Sequence, residues 1–224
     1  MQSMDSYQIW LYLHVLMFVY WLGADLGVFT LALAIRNPNY SVEQRTLLMR
    51  MSLLIDMTPR AAMALIAPVG LVLSESLGLV SVPGWLNAVI WVAAFAWIAG
   101  EIVAFRNMGT PLMVRIYMAT GTLFVCVFLV CTWYGIQSLR YGEPFAANWL
   151  ALKVLLFGQV FLVSSLMALF YAPVEAIFRQ MESSGSSPEL EARVRTQVNR
   201  GAVVTVALFL LLGTIAFLGQ AKPL

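Results

Sequence analysis

Residues 13–29 read LHVLMFVYWLGADLGVF, an apolar run that contains one histidine and one aspartate. A membrane-spanning helix needs about 20 predominantly apolar residues, and this run supplies most of one. The composition of the whole chain agrees, because 61% of its residues are hydrophobic and 11% are charged. Soluble domains are about 25% charged. The sequence therefore predicts an integral membrane protein that resides in the lipid bilayer.

Hydropathy predicts an all-α, polytopic membrane protein with six transmembrane helices in a single domain, residues 1–224. The predicted spans are residues 7–35, 58–80, 84–105, 112–137, 146–173 and 199–219. The first span is too long for a cleaved signal peptide and has no basic region before it, so we expect it to remain in the mature protein.

Residues 180–198 are the longest polar stretch and form the predicted cytoplasmic connector. Within it, Ser187, Pro188 and Glu189 have the pattern of a helix start. They supply an N-cap hydroxyl, a proline at the first helical position and an acid in the first turn. We therefore expect the last helix to begin there, before it reaches the membrane.

Basic residues predict the orientation, because Lys and Arg near span ends are retained on the cytoplasmic side. The loops after the first, third and fifth spans hold most of them: Arg36, Arg45, Arg50, Arg106, Arg179, Arg193 and Arg195. The opposite side holds Arg140 and Lys222, with Lys153 just inside a span. Both termini are therefore predicted on the outer, periplasmic side of a bacterial-type inner (plasma) membrane.

Net charge and cysteine placement limit the function classes. The formal charge of +2 is small and its basic excess follows from sidedness, so no nucleic-acid partner is indicated. Cys126 and Cys131 lie about 140° apart around one helix and cannot form a disulfide with each other. The sequence contains no P-loop, nucleophile elbow or zinc-site pattern.

One face of the first helix carries its unusual residues. His14, Phe18, Trp21 and Asp25 recur at helical spacing, and Trp10 extends the stripe toward the outer end. At about 1.5 Å rise per residue, His14 and Asp25 are roughly 16 Å apart along the axis and cannot pair. The histidine and the aspartate therefore belong to different depths of the membrane.

Lys153 lies about two turns into the fifth span, which places it at the depth of His14. A charged group at the bilayer centre costs about 2.5–3.5 kcal/mol on insertion scales, and less near the edge. Lys153 extending to the headgroups, and His14 hydrogen-bonded to a neighbouring helix, are the ordinary interpretations. The aromatic stripe likewise suits an interfacial belt or helix packing.

Several short stretches resemble a known superfamily. The first span resembles the opening helix of the HemJ-type protoporphyrinogen oxidases and CopD-type copper-resistance proteins through Leu13-His14 and Trp21-Leu22-Gly23. Met57-Thr58-Pro59, Asn148-Trp149-Leu150-Ala151-Leu152-Lys153 and Ala221-Lys222-Pro223-Leu224 resemble the second helix, the third helix and the carboxyl end of HemJ-type proteins. Those proteins have four spans and further histidines, so residues 84–105 and 112–137 stand as two inserted spans.

The resemblance implies a haem b site and a redox function. It implies that His14 ligates the haem iron and that Lys153 is the catalytic lysine required beside it. Trp10, Phe18 and Trp21 would then flank the macrocycle, and Lys153 or Arg140 would pair with its propionates. The implied activity is that of an oxidoreductase, which oxidises a porphyrinogen-type substrate or relays electrons to a quinone.

A second group of polar residues falls in the cytoplasmic half of the predicted spans or at their inner boundary: Asp25, Asp56, Arg60, Glu101 and Arg106. Two interpretations are open, mutual neutralisation that fixes helix register and a proton path that serves a redox site. We favour neutralisation, because acids paired with arginines stay ionised and relay protons poorly.

Two other function classes remain open. Copper transport or resistance fits the CopD-type resemblance and the 12 methionines, but these residues are scattered through helices rather than clustered as Cu(I) ligands. An accessory subunit of a larger membrane complex, or a homo-oligomer, is the other class. Gly158, Ser164 and Ser165 in the fifth span would permit close helix contacts within the chain or with such a partner.

Overall fold

The computed structural model describes residues 6–223, and the secondary structure of these residues is helical throughout. The helices are α1 (Ser6–Ala34), α2 (Val42–Ile55), α3 (Met57–Ser76), α4 (Gly84–Arg106), α5 (Pro111–Tyr141), α6 (Asn148–Ser184) and α7 (Pro188–Ala221). Six helical segments of the described chain are long and apolar enough to cross a membrane, the second of them comprising α2 and α3. The prediction of an all-α protein with six spanning helices is confirmed.

The spanning helices form a closed ring. Within residues 6–223, each contacts its neighbours in the order α1, α3, α4, α5, α6, α7 and back to α1. The middle of the ring is filled by apolar side chains around Trp21 of α1, Trp97 of α4 and Phe161 of α6. Phe124 of α5 meets the rings of Trp97 and Phe161 edge to face, at centroid distances of 5.2 and 5.1 Å. Aromatic side chains therefore fill the centre of the bundle midway along the helices.

Glycines let α5 and α6 approach closely. A Cβ added at Gly135 would lie 2.7 Å from the Cβ of Leu155, and one added at Gly158 would lie 2.9 Å from the Cβ of Cys131. No side chain larger than hydrogen fits at either position without a shift of the neighbouring helix. The close contact predicted at Gly158 is thus confirmed, and it forms within the chain.

Both cysteines are free, as their spacing predicts.

Hydropathy does not predict α2 as a separate helix, because its sequence mixes charged and apolar residues and precedes the second predicted span, residues 58–80. Ser41 begins it with a capping box: its hydroxyl accepts from the Gln44 amide at 3.2 Å, and the Gln44 side chain accepts from the Ser41 amide at 2.9 Å. This pair is the recognised S-x-x-Q signal for a helix start. Residues 36–57 are therefore not a simple loop between the first two predicted spans.

The last two helices extend beyond their predicted spans. α6 continues past residue 173 to Ser184, and α7 begins at Pro188, with the Ser187 hydroxyl accepting from the Leu190 amide at 3.3 Å. The predicted helix start at Ser187 is confirmed. These extensions form a second apolar core with the residue after α1, and apolar side chains of α2 pack against it. Its buried members are Ile35, Val174, Ile177, Phe178, Met181, Leu190, Val194 and Val198. The connector 180–198 is thus mostly helical.

We name the two ends of the bundle by what they hold. The basic end carries α2 and the turn between α6 and α7, and the terminal end carries the first residues of α1 and the last residues of α7. At the basic end, Arg45 of α2 is only 1% exposed and donates to both carboxylate oxygens of Glu191 at 2.8 and 2.7 Å. Its guanidinium also lies 5.3 Å from the ring centre of Phe178. This buried pair joins α2 to α7.

Candidate functional site

The imidazole of His14 lies against α3 at a glycine. A Cβ added at Gly70 would come within 3.0 Å of its Cε1 atom and 3.5 Å of its Nδ1 atom. The backbone carbonyl of Ile66, one turn earlier on α3, lies close enough to act on the ring. Nδ1 is buried and has no hydrogen-bond partner among residues 6–223. The ring is therefore packed against α3, with its Nδ1 not engaged by any described side chain or carbonyl.

Lys153 of α6 reaches the same level of the bundle. Its half-buried side chain crosses Gly219 of α7, where an added Cβ would lie 2.7 Å from Nζ. The lysine charge is close enough to act on the imidazole of His14, and Lys222 lies near it as well. None of the ion pairs within residues 6–223 involves Lys153. The structure thus places a cationic amine and an unpartnered imidazole nitrogen together near the terminal end.

The aromatic stripe of α1 divides between two environments. Trp10 packs toward α4, with its ring centre 6.2 Å from that of Trp91. Trp21 is 3% exposed in the central core, and Phe18 packs at the edge of that core. Trp10 and Phe18, one turn on either side of His14, are therefore the stripe members beside the imidazole. Trp21 contributes to packing two turns further in.

Arg140 lies apart from this pair. It is exposed near the end of α5, on the face opposite Gly135 and Ser138, which are buried. Gly135 faces Leu155 of α6, so Arg140 is turned away from α6. This placement leaves Lys153 as the basic residue beside His14.

The inner polar residues form an ion-paired cluster around Arg60. This arginine donates to Asp56 Oδ2 at 2.7 Å through Nε and to Glu101 Oε2 at 2.7 Å through Nη1. Glu101 is 3% exposed, and its other oxygen accepts from Trp97 Nε1 at 3.1 Å and Thr120 Oγ1 at 3.4 Å. The cluster therefore connects α3, α4 and α5 and satisfies the buried carboxylate.

Asp25 and Arg106 take different positions relative to this cluster. Asp25 lies close to the Trp21 indole, within electrostatic range of Asp56 and Arg60. Arg106 is exposed and takes no part in the ion pairs found within residues 6–223. The structure therefore brings together four of the five predicted residues. Three of them, Arg60, Asp56 and Glu101, form the ion pairs that mutual neutralisation requires, and Asp25 lies beside them outside the described ion pairs.

The fold and these contacts describe a six-span helical membrane protein with an ionisable pair near one end of the bundle. Within residues 6–223, no group of three or more His, Cys, Asp or Glu side chains is arranged to hold a metal ion. Comparison of the chain with protein-family models, curated proteins and solved structures finds no match. The function is therefore argued from the side chains themselves.

The residues that sequence reasoning missed are the glycines opposite each functional side chain. Gly219 carries no local signal, because its role depends on Lys153, which lies 66 positions earlier in the sequence. Gly70 accompanies Pro68 in an otherwise apolar segment, which is a weak sign of close packing.

Proposed function

We propose that the chain is a membrane-embedded, haem-binding redox protein of HemJ-like type, in which His14 ligates the iron of a b-type haem. The buried, unpartnered Nδ1 of His14 is the observation that carries this proposal. A buried nitrogen without a partner costs about 1–3 kcal/mol, so the arrangement favours a ligand that uses the lone pair. Metal-bound histidines characteristically donate their other ring N–H to a carbonyl, and the Ile66 carbonyl is close enough to the ring to serve as that acceptor.

Trp10 and Phe18 support a porphyrin beside His14, because they supply apolar surface one turn to either side of it. Gly70 makes room for the imidazole itself, since an added Cβ would lie 3.0 Å from its Cε1 atom. Lys153 would pair with a propionate, because its charge has no carboxylate partner among the described residues. A haem held by one histidine supplies one-electron or oxygen chemistry at its open position. The protein would hold the group, orient it and keep bulk water away.

The substrate side of the proposal rests on resemblance. The stretches at residues 13–23, 57–59 and 148–153 are similar to HemJ-type proteins, which supports a porphyrinogen-type substrate and a lipid-soluble acceptor such as a quinone. The charge distribution supports an inner-membrane location with both termini outside. The protein would accordingly act as an oxidoreductase between the outer face and the bilayer.

An absorption spectrum tests the haem site directly. Wild-type protein purified from haem-sufficient cells is expected to show a Soret band, and His14→Ala is expected to abolish it with normal expression. Val15→Ala, at the neighbouring exposed position, is the matched control and should keep the band. His14→Gly should regain the band when imidazole is added, because free imidazole can occupy the vacated space.

Lys153 is tested in the same assay. Lys153→Met removes the charge at similar length and is expected to weaken haem binding, whereas Lys153→Arg should retain most of it. A colourless wild type, or a Soret band unchanged in His14→Ala, would contradict the proposal. Copper uptake that is lost in His14→Ala but independent of haem supply would favour the copper-transport alternative.

A further inference from the structure

A cavity opens between α1 and α7 at the basic end, far from His14. Its volume is about 590 Å³, and it is bounded by the last turn of α1, the turn that leads to α2, and the first half of α7. Toward the middle of the membrane, Phe29 and Phe209 close the same interface edge to face, with ring centres 5.7 Å apart. The cavity therefore lies at the basic end of an α1–α7 interface that the two phenylalanines fill further into the bilayer.

The outer part of this cavity is cationic. Arg36 and Arg195 line it with Asn199 and Tyr40, and all of its lining residues are uncharged or basic. Arg36 donates a hydrogen bond to the side-chain oxygen of Asn199, which holds its guanidinium at the cavity. Two positive charges therefore face a space large enough for a small polar ligand.

Neither arginine is neutralised by a carboxylate in the described part of the chain. The ion pairs found within residues 6–223 include neither Arg36 nor Arg195. Glu191 lies one turn before Arg195 on α7, but both of its oxygens bind Arg45. The charge at the cavity is thus available to an anion.

The inner part of the cavity is apolar. Leu33 and Ala34, in the last turn of α1, line it beside Thr30. These residues belong to the first membrane-spanning segment, so this side of the cavity adjoins hydrocarbon. The cavity therefore has a cationic outer part and an apolar inner part. These two parts complement an amphiphilic anion better than a fully water-soluble anion.

We propose that this cavity binds the headgroup of an anionic phospholipid, with its phosphate held by Arg36 and Arg195. Guanidinium groups bind phosphate oxygens through two parallel hydrogen bonds, and basic pockets between helices at the membrane surface are recognised lipid sites. The acyl chains follow the apolar surface of α1 near Leu33. Bound lipid would add a second connection between the end of α1 and α7, beside the hydrogen bond from Arg36 to Asn199.

The test titrates the purified full-length chain in detergent with short-chain phosphatidylglycerol and follows the midpoint of thermal unfolding. Short-chain phosphatidylcholine and inorganic phosphate are the comparison ligands. We expect a saturable rise with phosphatidylglycerol alone. Each arginine near the membrane surface contributes roughly a fivefold gain in affinity, so Arg195→Gln should weaken binding about fivefold and the double variant with Arg36→Gln about 25-fold.

Arg193→Gln is the matched control, because Arg193 is exposed on the same helix and does not line the cavity. It should change affinity less than twofold. Arg195 is exposed and takes no part in the described ion pairs, so its single variant keeps the test valid if the double variant fails to fold. Equal responses to the two lipids, equal losses in Arg193→Gln and Arg195→Gln, or saturation by inorganic phosphate at the lipid concentration would overturn the proposal.

Discussion

Gly70→Ala tests the contact between α1 and α3 on which the His14 site depends. The added Cβ would lie 3.0 Å from His14 Cε1, whereas carbon atoms in normal contact are about 3.5–4.0 Å apart. The imidazole or α3 must therefore move by roughly 0.5–1 Å. A flip of the ring about its Cβ–Cγ bond would put Nε2 where Cε1 now lies, 3.0 Å from the methyl group, so a simple flip does not relieve the clash.

The energetic effect is the difference between two opposing contributions. Overpacking in a well-packed site costs about 1–3 kcal/mol, and replacing a helical glycine by alanine gains about 1 kcal/mol. Gly70→Ala should therefore lower the free energy of unfolding by roughly 0–2 kcal/mol in the wild-type background. In a His14→Ala background the clash is absent, and the same substitution should stabilise the protein by up to about 1 kcal/mol.

A double-mutant cycle measures this difference. Reversible unfolding in mixed SDS–detergent micelles, followed by circular dichroism, should give a coupling energy of about 1–3 kcal/mol between Gly70→Ala and His14→Ala. Gly213→Ala on α7 is the control, because a Cβ there meets no atom within 4 Å and should give no coupling. Equal effects of Gly70→Ala in both backgrounds would refute the contact, whatever the protein binds.

The same variant has a spectroscopic consequence if the haem proposal holds. Metal–ligand distances tolerate about ±0.2 Å, so an imidazole displaced by roughly 0.5 Å or more should bind haem 10–100-fold more weakly. A haemin titration of the two glycine variants would detect this loss in Gly70→Ala alone.

Two further predictions concern stability away from the His14 site. Glu191 precedes the predicted span 199–219, and the hydrogen bonds from Arg45 lower its pKa. The stability that this pair contributes is therefore fully present above about pH 4.3, the ordinary pKa of a glutamate. It is lost as the pH falls through the lowered pKa. Glu191→Gln should cost about 1–3 kcal/mol at pH 7 and flatten the acid limb of the stability curve; an unchanged limb would count against the pair. Gly135→Ala should destabilise by up to about 2 kcal/mol after the gain of about 1 kcal/mol from replacing a helical glycine, because its Cβ would lie 2.8 Å from the backbone Cα of Leu155. Gly121→Ala, on the same helix with open space, is its control in the same unfolding assay, and equal losses in the two variants would exclude a close α5–α6 contact.

The local sequence was sufficient to predict the spanning helices, because each helix satisfies its own backbone hydrogen bonds. An apolar run of sufficient length then specifies a span without reference to any other part of the chain. The helix start at Ser187 is local for the same reason, since its hydroxyl caps the Leu190 amide three residues later. The capping box at Ser41 is equally local, but hydropathy does not register it, because a capping box is a pattern of polar side chains rather than an apolar run.

The contacts between helices could be identified only in the tertiary structure. The sequence placed His14 and Lys153 at one depth, but helical periodicity does not set the rotation of one helix against another. Their positions depend on Gly70 and Gly219, which face them from different helices. In the same way, charge alone did not show that Arg60 binds Glu101, 41 positions away.

The sequence by itself therefore determined that this protein is a six-span helical membrane protein, and it singled out one imidazole and one amine within the membrane. Only the tertiary structure decided which helices are neighbours, which glycines make room for those side chains, and where the cationic cavity opens between α1 and α7. The physical reason is the range of the forces. Hydropathy and backbone hydrogen bonding act within a segment, whereas side-chain packing joins residues far apart in the chain.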